Sequence, residues 1–442
     1  MKRYYKYIKP KLIFFILSPF FMFVEVYCDV KIPLLAAQII NVGVTTGNHA
    51  YILHTTGVMF LYLLLAVCSG STSAYCAAKA SSFFAGDLRE DLFIKIQQFS
   101  FATIDKFSPG SLVTRLTNDI TQMQNLVTMC LRLMCRAPGM LIGALIMAFT
   151  INTKIALIFV VLIPILATVI VLVLLAAYKR FMLLQVKIDA LNSNIREFLT
   201  NIRLVKSLTR EDFETQKFKS VNADLKETGL GAFRITVLQM PIMVFIVNLA
   251  TIAIIWFGSK ALDANELLVG DISAFITYLA QILMSVMMLA MLILQSSRAM
   301  ASSKRITEVL DTDIDIKDGT TSDCTRTVTG GEIEFKKVCF KYFKDTPKPV
   351  LDTVSVRIKS GESVGIIGPT GCGKTSFVHL IPRLYDTDSG SVYVDGINVK
   401  DYTLENLRAG IAVVLQNNVL FSGSIKENLL WGDKKACDED IE

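Results

Sequence analysis

The sequence predicts two fused parts: an all-α membrane domain of six helices with long cytosolic helical extensions, then a partial α/β P-loop domain. Three observations carry that reading. Hydrophobic residues make up 52% of the 442-residue chain, and mean hydropathy is +0.49, too apolar for an ordinary soluble protein. Those residues concentrate before about position 300, and the remainder has a globular composition. In that remainder, Gly368-Pro369-Thr370-Gly371-Cys372-Gly373-Lys374-Thr375 fits G-x-x-x-x-G-K-[ST] without a mismatch. The expected boundaries are 1–310 for the membrane part, 311–331 for a linker and 332–442 for the P-loop part.

Six apolar segments define the membrane part, at about 12–40, 51–78, 130–151, 155–178, 235–257 and 270–294. Each exceeds the roughly 20 helical residues that cross a hydrocarbon core of about 30 Å. The first is interrupted by Glu25, Asp29 and Lys31. Lysine and arginine set the orientation. The N-terminus is strongly basic, and 79–129 and 179–234 are rich in both residues. By contrast, 41–54 has neither, 152–154 has only Lys154 and 258–269 only Lys260. Both termini are therefore expected in the cytosol, with three short connections outside. The basic start leads into further membrane sequence without a cleavage site, so it reads as a retained span.

The inner stretches are helical in character. Read as one helix, residues 51–99 would be about 73 Å long, more than twice the ~30 Å core, so the spans extend into the cytosol as stalks. Ser108, Pro109 and Gly110 mark the first returning turn, and the second falls near 202–210. Pro138, Pro164 and Pro241 lie within or at the start of spans, where neighbouring helices satisfy freed backbone groups. Residues 311–331 are rich in Asp, Gly, Thr and Ser, a linker composition. Strand patterns follow at 333–335, 338–340, 354–358, 363–367, 391–394 and 411–415.

The octapeptide has the context it needs, a short strand at 363–367 before it and a helix beginning at Ser376. Its glycines let successive N–H groups point at one anion, and the helix start adds partial positive charge. Lys374 is placed to reach the outer phosphates and Thr375 to ligate Mg²⁺. The implied cofactors are ATP and Mg²⁺.

Other candidates are weaker. The net charge of +6 follows membrane topology and forms no nucleic-acid patch. Nine cysteines include no C-x-x-C pair. Cys28, Cys68, Cys76, Cys130 and Cys135 read as small hydrophobes, while Cys324, Cys339, Cys372 and Cys437 should face a reducing cytosol. His49, His54 and His379 are too scattered for a metal site. Glu25 and Asp29 share a helix face; they either line a cavity for cationic cargo or pair with Lys31 near the outer interface, the plainer reading. Met284, Met287, Met288 and Met291 read first as helix packing, and Arg132 and Arg136 as snorkelling at the inner boundary.

Six spans, stalks and a C-terminal P-loop together resemble a half-transporter of the ATP-binding cassette (ABC) exporter family, multidrug or lipid type. The resemblance runs almost the full chain. Residues 107–119 and 196–211 look like the two cytoplasmic loops whose short coupling helices press on nucleotide domains. The resemblance implies that Tyr342 stacks on adenine and that Gly368 to Ser376 cradle the phosphates. It implies catalytic roles for Lys374 and Gln416, with Thr375 and Gln416 touching Mg²⁺. Asp395-Gly396 and residues 420–428 follow the family pattern, whereas Asn417 stands where an acid is commoner. The Leu-Ser-Gly-Gly-Gln signature, Walker B aspartate, catalytic glutamate and switch histidine have no counterpart within 442 residues. The chain therefore reads as an incomplete copy of a subunit, inactive by itself. The implied whole is a multi-pass bacterial plasma-membrane pump that dimerises with a second half-transporter. Its partners are membrane lipid and a small amphipathic substrate, not nucleic acid. A non-hydrolysing regulatory subunit is the alternative, and an importer is disfavoured by the fused domains.

Overall fold

In hydrocarbon every backbone N–H and C=O must be paired within its own segment, so each long apolar run can only become a helix. In the computed structural model, which describes residues 2–318, 326–343, 346–416, 419–433 and 436–441, all six do. The helices are Tyr5–Val44, His49–Gln97, Pro109–Ile151, Thr153–Thr200, Glu211–Asp263 and Val269–Asp311. They are 40 to 53 residues long, about 60–80 Å at 1.5 Å per residue, and each contains one of the expected segments. The third and fourth meet at Asn152, whose extended backbone breaks the helix and whose side chain accepts from the N–H groups of Lys154 and Ile155. Asn152 is thus the N-cap that starts the fourth helix.

The chain divides into two compact units. One comprises Met1–Phe93 and Thr114–Leu310; the other comprises Ile94–Val113 and Asp311–Glu442. In the first, small side chains let the helices approach closely. Ala144, Ala148 and Ala156 are buried beside Val30, Phe159, Phe275 and Leu279, and Tyr278 donates its hydroxyl to the Val30 carbonyl at 2.9 Å. Large apolar residues such as Leu53, Phe60 and Val161 stand exposed along the helices, as lipid-facing positions should.

The second unit holds a four-stranded antiparallel sheet in the order β2-β1-β3-β4, with β1 Ile333–Phe340, β2 Leu351–Ile358, β3 Ser389–Val394 and β4 Ile397–Asn398. The two short runs expected at 333–335 and 338–340 are one irregular strand. Asp395 and Gly396 both have positive φ, 52° and 74°, the backbone of a type I′ hairpin. Gly390 packs so close to β1 that a Cβ would lie 2.3 Å from the Lys337 carbonyl oxygen. Phe335, Val338, Phe340, Val392 and Val394 form the core with Phe377 and Leu380 of the helix Lys374–Leu380.

Two expected strands need correction. Residues 363–367 and 411–415 are not strands; they lie outside the sheet, with Ile367 97% and Val414 88% exposed. Their apolar, β-branched composition suits a central strand covered on both faces. A ladder requires a neighbour at hydrogen-bonding distance, and none flanks them among the described residues. The expected linker overlaps residues 319–325, which lie outside the described residues.

Candidate functional site

The P-loop is shaped by two left-handed glycines, Gly371 at φ +86° and Gly373 at φ +93°. Gly373 has no room for a side chain either: a Cβ would sit 2.9 Å from Leu351 Cδ2 and 3.0 Å from the Val350 carbonyl oxygen. It caps the helix Lys374–Leu380, with its carbonyl accepting from Phe377 N at 2.9 Å. Phe377 anchors that helix by stacking on Phe335, centroids 4.1 Å apart.

On this frame Lys374 Nζ folds back across the loop and donates to the carbonyls of Gly368 and Pro369 at 2.8 and 2.9 Å. The same ammonium lies 3.7 Å from Cys372 Sγ, so the loop is closed on its own lysine. Thr375 is exposed on the first helical turn. Ser376, the last residue of the expected phosphate cradle, is buried. It is 4% exposed, and its hydroxyl shares a 2.7 Å hydrogen bond with the Tyr342 hydroxyl.

Tyr342 is thereby tied to the residue after the P-loop threonine. Its ring makes edge contacts with Phe340 at 4.9 Å and Tyr385 at 5.2 Å, leaving it 36% exposed. Gln416 is exposed at the end of 411–415, and no hydrogen bond joins it to the loop among the described residues. Asn417 lies outside the described residues. The structure thus brings Tyr342, Ser376 and the P-loop together and leaves Gln416 apart.

Sequence reasoning missed a second layer. The short helix Phe101–Phe107, capped by Ser100, packs within this same unit. Tyr385 donates to Asp105 at 2.8 Å, and Phe101 lies 6.4 and 6.1 Å from the rings of His379 and Tyr385. Ser100 also donates to Asp315. Burial first, and the Asp105 hydrogen bond second, push the Tyr385 hydroxyl well above its ordinary range. The available signal was the spacing of Phe101 and Asp105, one helical turn apart on one face. Nothing in the sequence pointed to Tyr385.

The family is decided by two matches. The ABC transporter transmembrane region matches residues 15–286, and the ABC transporter model matches residues 351–442. This chain belongs to the ABC transporter family. An uncharacterized ABC transporter ATP-binding protein of Bacillus subtilis, YfiB, is 36% identical over all 442 residues, which cover 76% of its own length. A Mycobacterium tuberculosis ABC transporter ATP-binding protein is 33% identical over 409 residues, 92% of this chain and 70% of its own. A Mycobacterium bovis protein named as a fatty acid ABC transporter ATP-binding/permease protein is 28% identical over 80% of this chain and 55% of its own length. The transporter is accordingly an integral multi-pass membrane protein with a fused nucleotide-binding part, ATP-driven, built as a half that dimerises with another half.

The membrane helices of the transporter also hold a polar cluster at Arg136. Arg136 does not snorkel: it bridges Glu25 and, at 3.0 Å, Asp29. Lys31 instead lies 5.8 Å from the Tyr27 ring. Glu25 is 8% exposed, and its carboxylate occupies the space beside Gly70, where a Cβ would come within 2.7 Å of Oε2. The methionine row is divided. Met287 packs on the core, while Met284 and Met291 are exposed.

Proposed function

We propose that this half-transporter works in a dimer as an exporter, moving hydrophobic or amphipathic small molecules out of the cytosol by alternating access. The observation that carries the reading is the coupling of Lys374, across the P-loop, and Tyr342, through Ser376, on a chain that also contains six long apolar helices. Lys374 would neutralise the outer phosphates, Thr375 and Gln416 would hold Mg²⁺, and Tyr342 would stack on adenine. Three of these residues support that chemistry: an ammonium that reaches back across the loop to the Gly368 and Pro369 carbonyls, an exposed hydroxyl one residue on, and an aromatic ring tied to the helix start through Ser376. When bound, Mg²⁺ supplies charge neutralisation of the phosphates. Turnover belongs to the assembled dimer, in which two such halves come together. Lysine and arginine asymmetry favours cytosolic termini in a bacterial plasma membrane. The relative named for fatty acids supports an amphipathic cargo.

The decisive experiment is transport by the full-length dimer in inside-out vesicles. ATP should drive uptake of a fluorescent fatty acid, and Lys374→Ala should abolish it. Uptake that is independent of ATP, or unchanged in Lys374→Ala, would refute the reading. Orientation is checked separately with single cysteines. Positions Asn48 and Ala264 should label from outside intact cells and Thr215 should not; the reverse pattern would refute it.

A further inference from the structure

The three short connections assigned to the outside contain two lysines and no arginine, Lys154 and Lys260. Both line the mouth of one groove. That groove runs between the helices Thr153–Thr200 and Glu211–Asp263 and has a volume of 950 Å³. Leu157, Val161 and Ile165 form one wall, and Ile246, Leu249 and Phe257 the other. From Asn152 to Ile165 it extends about 20 Å along the helix, deeper than half of a hydrocarbon core of about 30 Å. Its polar groups gather at one end. There Lys154 Nζ meets both carboxylate oxygens of Glu266 at 3.0 and 2.9 Å, and Lys260 Nζ stands 5.3 Å from the Trp256 ring centre. Among the residues that line the groove, two ammonium groups face one carboxylate, with Asp263 at the helix end beside them.

We propose that this groove holds an acyl chain of an anionic phospholipid from the surrounding bilayer, with the phosphate between Lys154 and Lys260. The walls match a hydrocarbon chain, and two ammonium groups match a headgroup of net negative charge better than one whose phosphate is balanced by its own cation. Loops on this side otherwise exclude cationic side chains, so their convergence on one apolar groove favours a charged, chain-bearing occupant over a second protein surface. The proposal does not depend on the nucleotide site or on transport direction. Orientation decides only which leaflet supplies the lipid.

The test uses the full-length dimer in detergent, titrated with phosphatidylglycerol or phosphatidylcholine of identical chains and read by native mass spectrometry. Wild type should retain phosphatidylglycerol about fivefold more tightly, the scale of one lysine at a membrane surface. Lys260→Glu should reduce that preference to parity, while Lys260→Arg keeps it. Ala250→Trp, which fills the groove from its wall, should lower retention of both lipids. Equal retention by wild type, an unchanged preference in Lys260→Glu, or its loss in Lys260→Arg would overturn the proposal. So would full-yield disulfide crosslinking between two copies carrying Val161→Cys, which would identify the occupant as the second subunit.

Discussion

Tyr385 and Asp105 are 280 residues apart in sequence, yet the Tyr385 hydroxyl donates to the Asp105 carboxylate at 2.8 Å. The same ring touches Tyr342 at 5.2 Å, and Tyr342 bonds to Ser376 beside the P-loop. A continuous line of contacts therefore runs from the short helix Phe101–Phe107 to the phosphate-binding loop, all inside one compact unit. The helix is the covalent continuation of the second and third long helices.

The first prediction follows from that line. Tyr385→Phe removes one hydrogen bond to a carboxylate, a class of bond worth about 1.5–3 kcal/mol and less where, as at the exposed Asp105, water reaches the acceptor. In the full-length dimer it should reduce cargo stimulation of ATP hydrolysis more than basal hydrolysis. Asp105→Ala should act the same way, and the double variant should be no worse than either single one. Additive losses would mean that the two residues act through separate contacts.

The helices were legible because their signal is physical and local: some 20 apolar residues have one solution in a bilayer. The P-loop was legible because left-handed backbone at Gly371 and Gly373 demands glycine. What failed depends on distant neighbours. Residues 363–367 and 411–415 have strand composition, but pairing requires a partner strand, which composition does not supply. Arg136 looked like a boundary residue because its two acidic partners lie more than 100 positions earlier. Tyr385 carried no motif at all, and its role emerges only when Phe101–Phe107 folds against it.

A second prediction separates the two functions of Tyr342. Tyr342→Phe keeps the ring but leaves the buried Ser376 hydroxyl without its partner, so nucleotide affinity should fall only slightly. Tyr342→Ala should weaken nucleotide binding by roughly 1–3 kcal/mol, the loss of a stacking face. Equal affinities for wild type and Tyr342→Ala, measured by fluorescent nucleotide titration, would reduce the ring to a packing element.

Third, Arg136 should be required for folding of the membrane helices. It pairs with both Glu25 and Asp29, and Arg136→Met would leave two carboxyl groups among apolar helices without their cation. Breaking a buried ion pair from one side costs about 3–5 kcal/mol. Arg136→Met should therefore lower thermal stability in detergent sharply, and adding Glu25→Gln and Asp29→Asn should recover much of it. Gly70→Ala should also destabilise, since its Cβ would press on the Glu25 carboxylate. Failure of the triple variant to recover stability would show that shape, not charge, is what these residues contribute.

Fourth, the cassette unit should lose stability in acid through Asp395. Burial alone would raise this carboxyl, but hydrogen bonds from the backbone of Gly330, Thr329, Glu332 and Gly331 outweigh it and hold the group below its usual range. Three of those bonds are 2.8, 2.8 and 3.0 Å long, from Thr329, Gly330 and Glu332. They pin the segment entering β1 to the hairpin after β3. The sign is fixed by the direction of the shift. The folded form favours the ionised carboxylate, so the contribution is fully present above the ordinary aspartate range, near 3.9, and disappears as pH falls through the depressed value. Asp395→Asn retains one acceptor oxygen and no charge, so it should cost on the order of 1 kcal/mol at neutral pH. It should also flatten the acid limb of a urea-unfolding series on the nucleotide-binding unit of the full-length protein. An acid limb with the same slope in wild type and Asp395→Asn would assign the acid sensitivity to other carboxylates.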